Sequence, residues 1–562
     1  MRLISRAAAL ATASLSALGA GVAAQDVAPA PSASSAVPQA PPLLPRDARL
    51  PVYAPSYPYG ADARVASRPA TQPVATLRDA LALAYWNNPQ LLSERAALRS
   101  TDNQLPIARS AYGPTLDFQG VQSFQRDRTE VVRNRFLGDQ GFSNTATLIL
   151  NQPVYTFGRN RARENSARAQ ILLGRDSLRF TEAQVLLETV TAYVSVQRDT
   201  LSVQIAQENL VLLERQYRDS AERFRVREIT SSDLQQIETR VEFGRAQLLQ
   251  AQGQLGTSRG QFLAAVGAPP AADLAEPVPL PIATATIDQA YAYAEVNSPL
   301  VRAAQSREKI SRAGVEAARA EMGPRVDLRG VGNYSSASPY SDSLRTTNLT
   351  GQVVLTQPLI DSNLRDAQLR AAKEANESDW RLIDQALRDT RQAVSASWNT
   401  LTASRASLEN YARASEAARR AYEGALEQER AGARTTLDVL DLARDLLNVR
   451  TNFIIAEANE YLARANLLAT IGRLEAPLLV PDIQAYDPAA NLRRVGNNAD
   501  VPLLTPALSA LDGLTGRDVE SDRPIRDPAG PLTTPGEVPL REAPPPRPEG
   551  LIPAGPAVAP RP

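Results

Sequence analysis

The chain has 562 residues, of which 5% are aromatic and 22% are charged, and this composition is typical of long helices rather than of a thick globular core. Its 61 basic and 61 acidic residues cancel, so no nucleic-acid partner is predicted. The absence of cysteine and histidine excludes disulfides, thiolate or imidazole metal sites and cysteine or histidine catalysts. Catalysis by paired carboxylates is left open by composition but has no supporting cleft signature, so we predict no enzyme, no metal and no other cofactor.

The two ends of the chain differ in composition from its middle. Residues 1–24 combine two arginines with an apolar run and a small-residue site ending at Ala24, which predicts a secretory signal peptide. The alternative, a membrane anchor, would need a longer apolar run. Residues 25–73 form an Ala- and Pro-rich extension, and residues 476–562 form a Pro-rich tail that we expect to be disordered in the periplasm.

The middle of the chain repeats itself. Asn87-Asn88-Pro89 and Asn297-Ser298-Pro299 lie 210 residues apart (297 minus 87), and Gln152-Pro153 and Gln357-Pro358 lie 205 apart (357 minus 152). Each copy predicts a short helix, a second helix of about 22 residues, two strands, a long helix, a turn and a returning helix. The predicted boundaries are 74–270 for the first repeat, 271–285 for a linker and 286–475 for the second repeat.

Each repeat ends in a predicted helical hairpin. In the second repeat, residues 361–428 contain no proline and a single glycine, so nothing breaks a helix of roughly 100 Å. In the first repeat we predict the long helix at about 159–227 and its return at Ser231–Val266. Apolar residues at intervals of seven follow both long helices and both returning helices, which predicts coiled-coil packing.

Two strand-like segments precede the long helix of each repeat. Leu116 and Phe118 flank Asp117, and this alternation of an apolar and a polar face is typical of strands in outer-membrane barrels. A small soluble sheet with one solvated face is the alternative. The segments that join the strands, 126–144 and 335–345, are polar and are predicted as outward-facing loops.

Four strands cannot form a closed sheet by themselves. In a bilayer, the open edges would leave backbone groups without hydrogen-bond partners, so closure requires other copies of the chain. Three copies of four strands would give twelve, a suitable number for a barrel. The residues therefore predict an oligomer in contact with outer-membrane lipid, without fixing the number of copies.

The turn of the second hairpin carries the most specific motif. It reads Ala431-Gly432-Ala433-Arg434-Thr435-Thr436-Leu437-Asp438-Val439-Leu440-Asp441. With this turn the chain resembles the TolC-like outer-membrane efflux and secretion channels, over about residues 76–472. The resemblance implies a mainly α fold with a small β part, in which a trimeric α-helical coiled-coil tunnel is continued by an outer-membrane β-barrel, with four strands per chain and two internal repeats. It also implies a location in the cell outer membrane, with the helical part in the periplasm.

The resemblance further implies a gate at the periplasmic end of the tunnel. Aspartates on the returning helix would ring the axis, and a preceding arginine would help to hold the closed state. The residues carried over are Asp438, Asp441, Arg434 and, where family members often have a tyrosine, Glu429. A simpler role is also open for Asp438, because it forms a capping box with Thr435, whereas Asp441 lies outside that box.

The function implied is a passive exit duct of a tripartite efflux pump or a type I secretion system. No Gly-x-x-x-x-Gly-Lys motif occurs, so a homotrimer of this chain would depend on a periplasmic membrane-fusion adaptor and an inner-membrane transporter of ABC, RND or MFS type. The alternative is a structural or adhesive coiled-coil oligomer without transport, which leaves the four strands unexplained. The turn residues expected to dock the adaptor are Arg227, Glu228, Thr230, Ser231, Gly432, Ala433 and Thr435.

Overall fold

A computed structural model describes residues 72–281, 284, 286–336, 345–480 and 482–514 of the chain. This part is mainly helical and contains a four-stranded antiparallel sheet. The predicted signal peptide, almost all of the N-terminal extension and the end of the predicted tail lie outside the described residues. Within the described ranges, no helix is both long and apolar enough to cross a membrane.

The elements run through nearly the same order twice. The first series is α1 (Leu77–Asn87), α2 (Pro89–Asp102), α3 (Gln104–Ser110), β1 (Thr115–Val132), β2 (Arg135–Tyr155), α4 (Arg159–Arg225) and α5 (Ser231–Val266). The second series is α6 (Ile287–Asn297), α7 (Pro299–Ala320), β3 (Arg325–Ser336), β4 (Thr346–Thr356), α8 (Leu364–Arg430) and α9 (Thr436–Thr470). Three short helices follow: α10 (Ala476–Leu479), α11 (Ala490–Val495) and α12 (Leu504–Gly513).

The second helix of the first series is broken, although we predicted it to be continuous. It stops at Asn103, whose side-chain amide donates to the Arg99 carbonyl at 2.8 Å, and α3 starts afresh at the next residue. Asparagine favours such local bonds over the helix interior. Pro106 also lacks the amide that a continuous helix would donate to the Asp102 carbonyl. The counterpart α7 has no asparagine and no proline after its first residue, and it runs unbroken for 22 residues.

The two hairpins are the longest elements. α4 and α8 have 67 residues each, which makes each about 100 Å long. α5 has the predicted bounds, because Thr230 caps its first turn and Gly267, with a φ of 80°, ends its last. α4 packs against both α5 and α9, whereas α8 packs mainly against α9 and α7.

The four strands pair in the order β1-β2-β3-β4. The predicted loop at 126–144 is wrong, since Arg126 pairs with Gln140 and the chain turns only at Arg133 and Asn134. Strand pairing satisfies the backbone whether the side chains are polar or apolar, so polarity alone did not identify a loop here. Of the other predicted loop, residues 337–344 lie outside the described part.

Apolar packing is thickest at the middle of the long helices. There Tyr193, Phe262 and Leu401 are fully buried in a cluster that includes residues of α1, α6 and the linker. Nearer the hairpin turns the buried clusters are much smaller. The last of them consists of Leu213, Ile237, Val241 and Leu440. The turns therefore have little apolar packing to hold them together.

The C-terminal segment, which we define as residues 474–480 and 482–514, departs from the predicted disordered tail. Its helix α12 buries Leu508, and its Asp500 accepts a 3.0 Å hydrogen bond from Arg109 of α3. The prediction was wrong for this segment because its partners lie nearly 400 residues earlier in the chain, where composition cannot reveal them.

An aromatic cage ties the same segment to α1 and α2. The guanidinium carbon of Arg95 lies 4.5, 4.8 and 4.9 Å from the ring centroids of Tyr85, Trp86 and Tyr486. Tyr486 also donates its backbone amide to the Tyr85 hydroxyl at 2.9 Å. Stacking on three rings stabilises a cation that is only 2% exposed.

The end of the C-terminal segment binds the junction between β2 and α4. The Asp512 carboxylate, which is 1% exposed, accepts bonds from the backbone amides of Thr156 and Gly158, both at 2.9 Å, and from the Thr156 hydroxyl. Gly158 precedes α4 with a φ of 86° and has no capping side chain of its own. Asp512 therefore supplies the negative group that the start of the helix lacks.

Candidate functional site

The candidate site is the tip, which we define as the two hairpin turns, 226–230 and 431–435, with the last turns of α4 and α8 and the first three turns of α5 and α9. Both turns have the same backbone plan. The Glu228 amide donates to the Arg223 carbonyl and the Ala433 amide to the Gln428 carbonyl, each at 2.9 Å. Arg227 and Gly432 both take a left-handed conformation, with φ of 64° and 72°. Arg227 is thus strained where glycine is not.

The two returning helices are capped unequally. Thr230 accepts a bond from the Asp233 amide, and the Asp233 carboxylate accepts one from the Thr230 amide at 3.1 Å, so the capping box is complete. Thr435 accepts from the Asp438 amide at 3.2 Å, but the structure gives no reciprocal bond. The Asp438 carboxylate is therefore exposed and makes no bond within the cap.

Glu429 connects the two hairpins. Its carboxylate accepts a bond from the Thr436 hydroxyl at 2.7 Å and from the Gln216 side-chain amide of α4 at 3.3 Å. Burial, followed by the nearby Glu429 charge, raises the pKa of Tyr422. Glu429 of α8 thus bonds to both α4 and α9. Its contact with Gln216 was not predicted from the sequence.

Asp441 also bonds to the first hairpin. Its Oδ1 lies 2.9 Å from Nη2 of Arg240 on α5, and the two side chains are 50% and 29% exposed. Arg434 is exposed and makes no ion pair within the described part of the chain. The structure thus joins Glu429 and Asp441 to the first hairpin and leaves Asp438 and Arg434 in solvent. The sequence did not indicate that Arg240 would bond Asp441, because 201 residues separate the two.

A groove runs along the hairpins beside the tip. α4 forms its floor, with α5 and α9 as its walls, and it encloses about 510 Å³. Phe243 is 68% exposed at its edge. A side chain at Gly244 would bring Cβ within 3.0 Å of Leu213, so this glycine permits the close approach of α5 to α4. The seven predicted docking residues are all exposed at the turns.

A family model matches most of the chain. The model, described as outer membrane efflux protein, matches residues 80–268 and 290–473, which together exceed half of the 562 residues. The two matches fall on the two series of elements.

Several curated proteins are similar along most of their length. Outer membrane efflux protein BepC of Brucella suis is 28% identical over 417 residues, covering 74% of this chain and 89% of the relative. Alkaline protease secretion protein AprF of Pseudomonas aeruginosa is 25% identical over 423 residues, covering 71% and 85%. Outer membrane protein TolC of Escherichia coli is 24% identical over 416 residues, covering 70% and 81%.

Solved structures have a similar fold. The CmeC outer membrane channel of Campylobacter jejuni matches with a TM-score of 0.63 at 16% identity, covering 78% of this chain and 95% of that one. The open state of the MtrE outer membrane channel of Neisseria gonorrhoeae matches with a TM-score of 0.59 at 18% identity, covering 71% and 90%.

Proposed function

This chain belongs to the outer membrane efflux protein family, and we propose that it acts as a homotrimer in which helical hairpins form a tunnel below a shared barrel. The protein is an outer-membrane exit duct for efflux and type I secretion, and its helical part extends into the periplasm. The family match over both halves of the chain carries this conclusion.

The edges of the sheet support the trimer. β1 and β4 are both edge strands, each with an unpaired row of backbone groups. Joining β1 of one copy to β4 of the next would satisfy those rows, and three copies would close a barrel of twelve strands. One face carries large apolar side chains left exposed in the single chain, as a lipid-facing surface requires. They include Leu116, Phe118, Leu349, Val353 and Leu355.

The tip supports a gate. In a trimer, Asp438 and Asp441 of each copy would lie near the axis, where like charges resist close approach unless a cation screens them. Arg434 would help to hold the closed state, and Glu429 would act through its bonds between the hairpins. The exposed turns would receive the periplasmic adaptor, and an inner-membrane transporter would supply the energy.

Conductance in planar bilayers tests the duct and the gate together. We expect small, cation-selective currents from the purified protein and larger currents from D438N and from D441N. D389N is the matched control, because Asp389 is an exposed aspartate on α8 outside the tip. A protein that stays a soluble monomer without detergent, or that gives no current under any condition, would contradict the duct and favour a structural or adhesive oligomer.

A further inference from the structure

We propose that Arg240 is the counter-ion of the gate residue Asp441, so that of the two gate aspartates only Asp438 keeps an unpaired negative charge. This inference rests on the gate proposed above. It assigns a gating role to a residue of the first hairpin, whereas the motif that suggested the gate lies wholly in the second.

The packing of the helices makes the pair specific. α5 and α9 both pack on α4, one on each side of the groove, and Arg240 reaches across from one wall to Asp441 on the other at 2.9 Å. Arg240 makes no other ion pair within the described residues. The neighbouring arginines behave differently, since Arg245 bonds Glu214 and Glu242, and Arg444 lies 3.7 Å from Asp445.

The pairing changes the charge that the tip presents. Without Arg240, a trimer would bring six carboxylates together, two from each copy. With Arg240 bonded to Asp441, each copy contributes a neutral pair and one free carboxylate, that of Asp438. Three uncompensated charges cost less to assemble than six, so closure is easier while cation preference is retained.

A pair that only fastened α5 to α9 would predict a different pattern of effects. Removing either partner would then loosen the tip in the same direction, and removing both would give no recovery of cation preference. A counter-ion predicts opposite signs instead. Loss of Arg240 leaves an extra negative charge, loss of Asp441 leaves an extra positive charge, and loss of both restores the original balance.

The test measures the cation-to-anion permeability ratio in planar bilayers for R240Q, D441N, the double variant and D438N. A unit charge near the axis should change the ratio by about twofold or more. We expect R240Q to raise the ratio, D441N and D438N to lower it, and R240Q/D441N to return it close to the starting value. The charge swap R240D/D441R should also restore it. R245Q is the matched control, because Arg245 lies on the same helix but pairs only with α4 and α5.

The outcomes separate the two proposals. If neither D438N nor D441N changes conductance or selectivity, the gate itself is wrong and this inference falls with it. If D438N acts as expected while R240Q and D441N shift the ratio in the same direction, or the double variant shows no recovery, the gate stands and the assignment of Arg240 is overturned. An effect of R245Q equal to that of R240Q would also overturn it.

Discussion

The two ends of the α4 helix are held in different ways. At the end where β2 enters α4, a carboxylate that is 1% exposed bonds three donors. At the tip, the contacts between hairpins are partly exposed polar pairs over a buried cluster of four residues. Partly exposed pairs contribute little stability and exchange easily with water. The contrast agrees with the gate that we propose at the tip.

The largest effect should come from Asp512. The variant D512A leaves two buried backbone amides and a hydroxyl without their acceptor, so we expect a loss of about 3–5 kcal/mol in the free energy of unfolding. Urea unfolding in detergent would measure it. D482A is the control, since Asp482 belongs to the same segment but forms only an exposed 3.6 Å pair with Arg78. Equal losses in both variants would show that the two ends of α4 are not held differently.

A smaller effect, of opposite sign, should come from Glu182 on α4. Burial is the largest cause and raises the pKa of this carboxyl, and the nearby Glu475 charge raises it further. The hydrogen bond from the Ala476 amide and the Arg95 charge lower it by less. A folded-state pKa above the unfolded value means that stability is lost as pH rises through the folded pKa. E182Q should therefore unfold at higher urea than the unchanged protein at pH 7, with the gap closing toward about pH 4.

The matched control for this pH dependence is E374Q, because Glu374 is exposed on α8. Its urea midpoint should follow that of the unchanged protein at every pH. A gap between E182Q and the unchanged protein that stays constant with pH would contradict the role assigned to burial of the carboxyl.

The caps at the tip should matter less, and unequally. T230V removes the hydroxyl that accepts from the Asp233 amide and donates to the Asp233 carboxylate, whereas T435V removes a single bond, so we expect local losses of about 1 kcal/mol for T230V and less for T435V. Native-state amide exchange at the turns would report these losses as a roughly fivefold and a smaller rise in exchange rate. Equal rises in exchange rate for T230V and T435V would contradict the unequal capping of the two returning helices.

The left-handed residues at the two turns should change stability in opposite directions, and R227G should have the smallest effect of all. R227G should relieve strain and stabilise its turn by about 0.5 kcal/mol, because glycine accepts a positive φ but gains entropy in the unfolded chain. G432A should weaken the other turn by about 1 kcal/mol for the reverse reason. Amide exchange again measures both, and a change of the same sign in the two variants would contradict the common backbone plan.

The helical hairpins were predictable because their signals are local. Heptad spacing gives the buried face, Thr230 starts α5 and Gly267 ends it, so this helix was placed at its observed bounds. The motif at 431–441 likewise directed attention to the tip, where Glu429 and Asp441 do bond across hairpins.

What escaped prediction depends on contacts between distant parts of the chain. Arg240 has an ordinary place on an amphipathic helix, and only the packing of α5 and α9 on α4 brings it to Asp441. Asp512 lies in a Pro-rich stretch, and its hydrogen-bond partner Thr156 is 356 residues away. The strands at 126–144 were missed because pairing of the backbone, which side-chain polarity does not encode, extends them.

The anchored start of α4 makes that helix a lever. Its 67 residues give an arm of about 100 Å, so one degree of tilt at the fulcrum near Asp512 would displace the far end by about 1.7 Å. A narrow aperture at the far end could then close only if the tilt of α4 varied very little. In the gate that we propose, the carboxylate that holds Thr156 and Gly158 would therefore set the angular precision with which a distant opening can close.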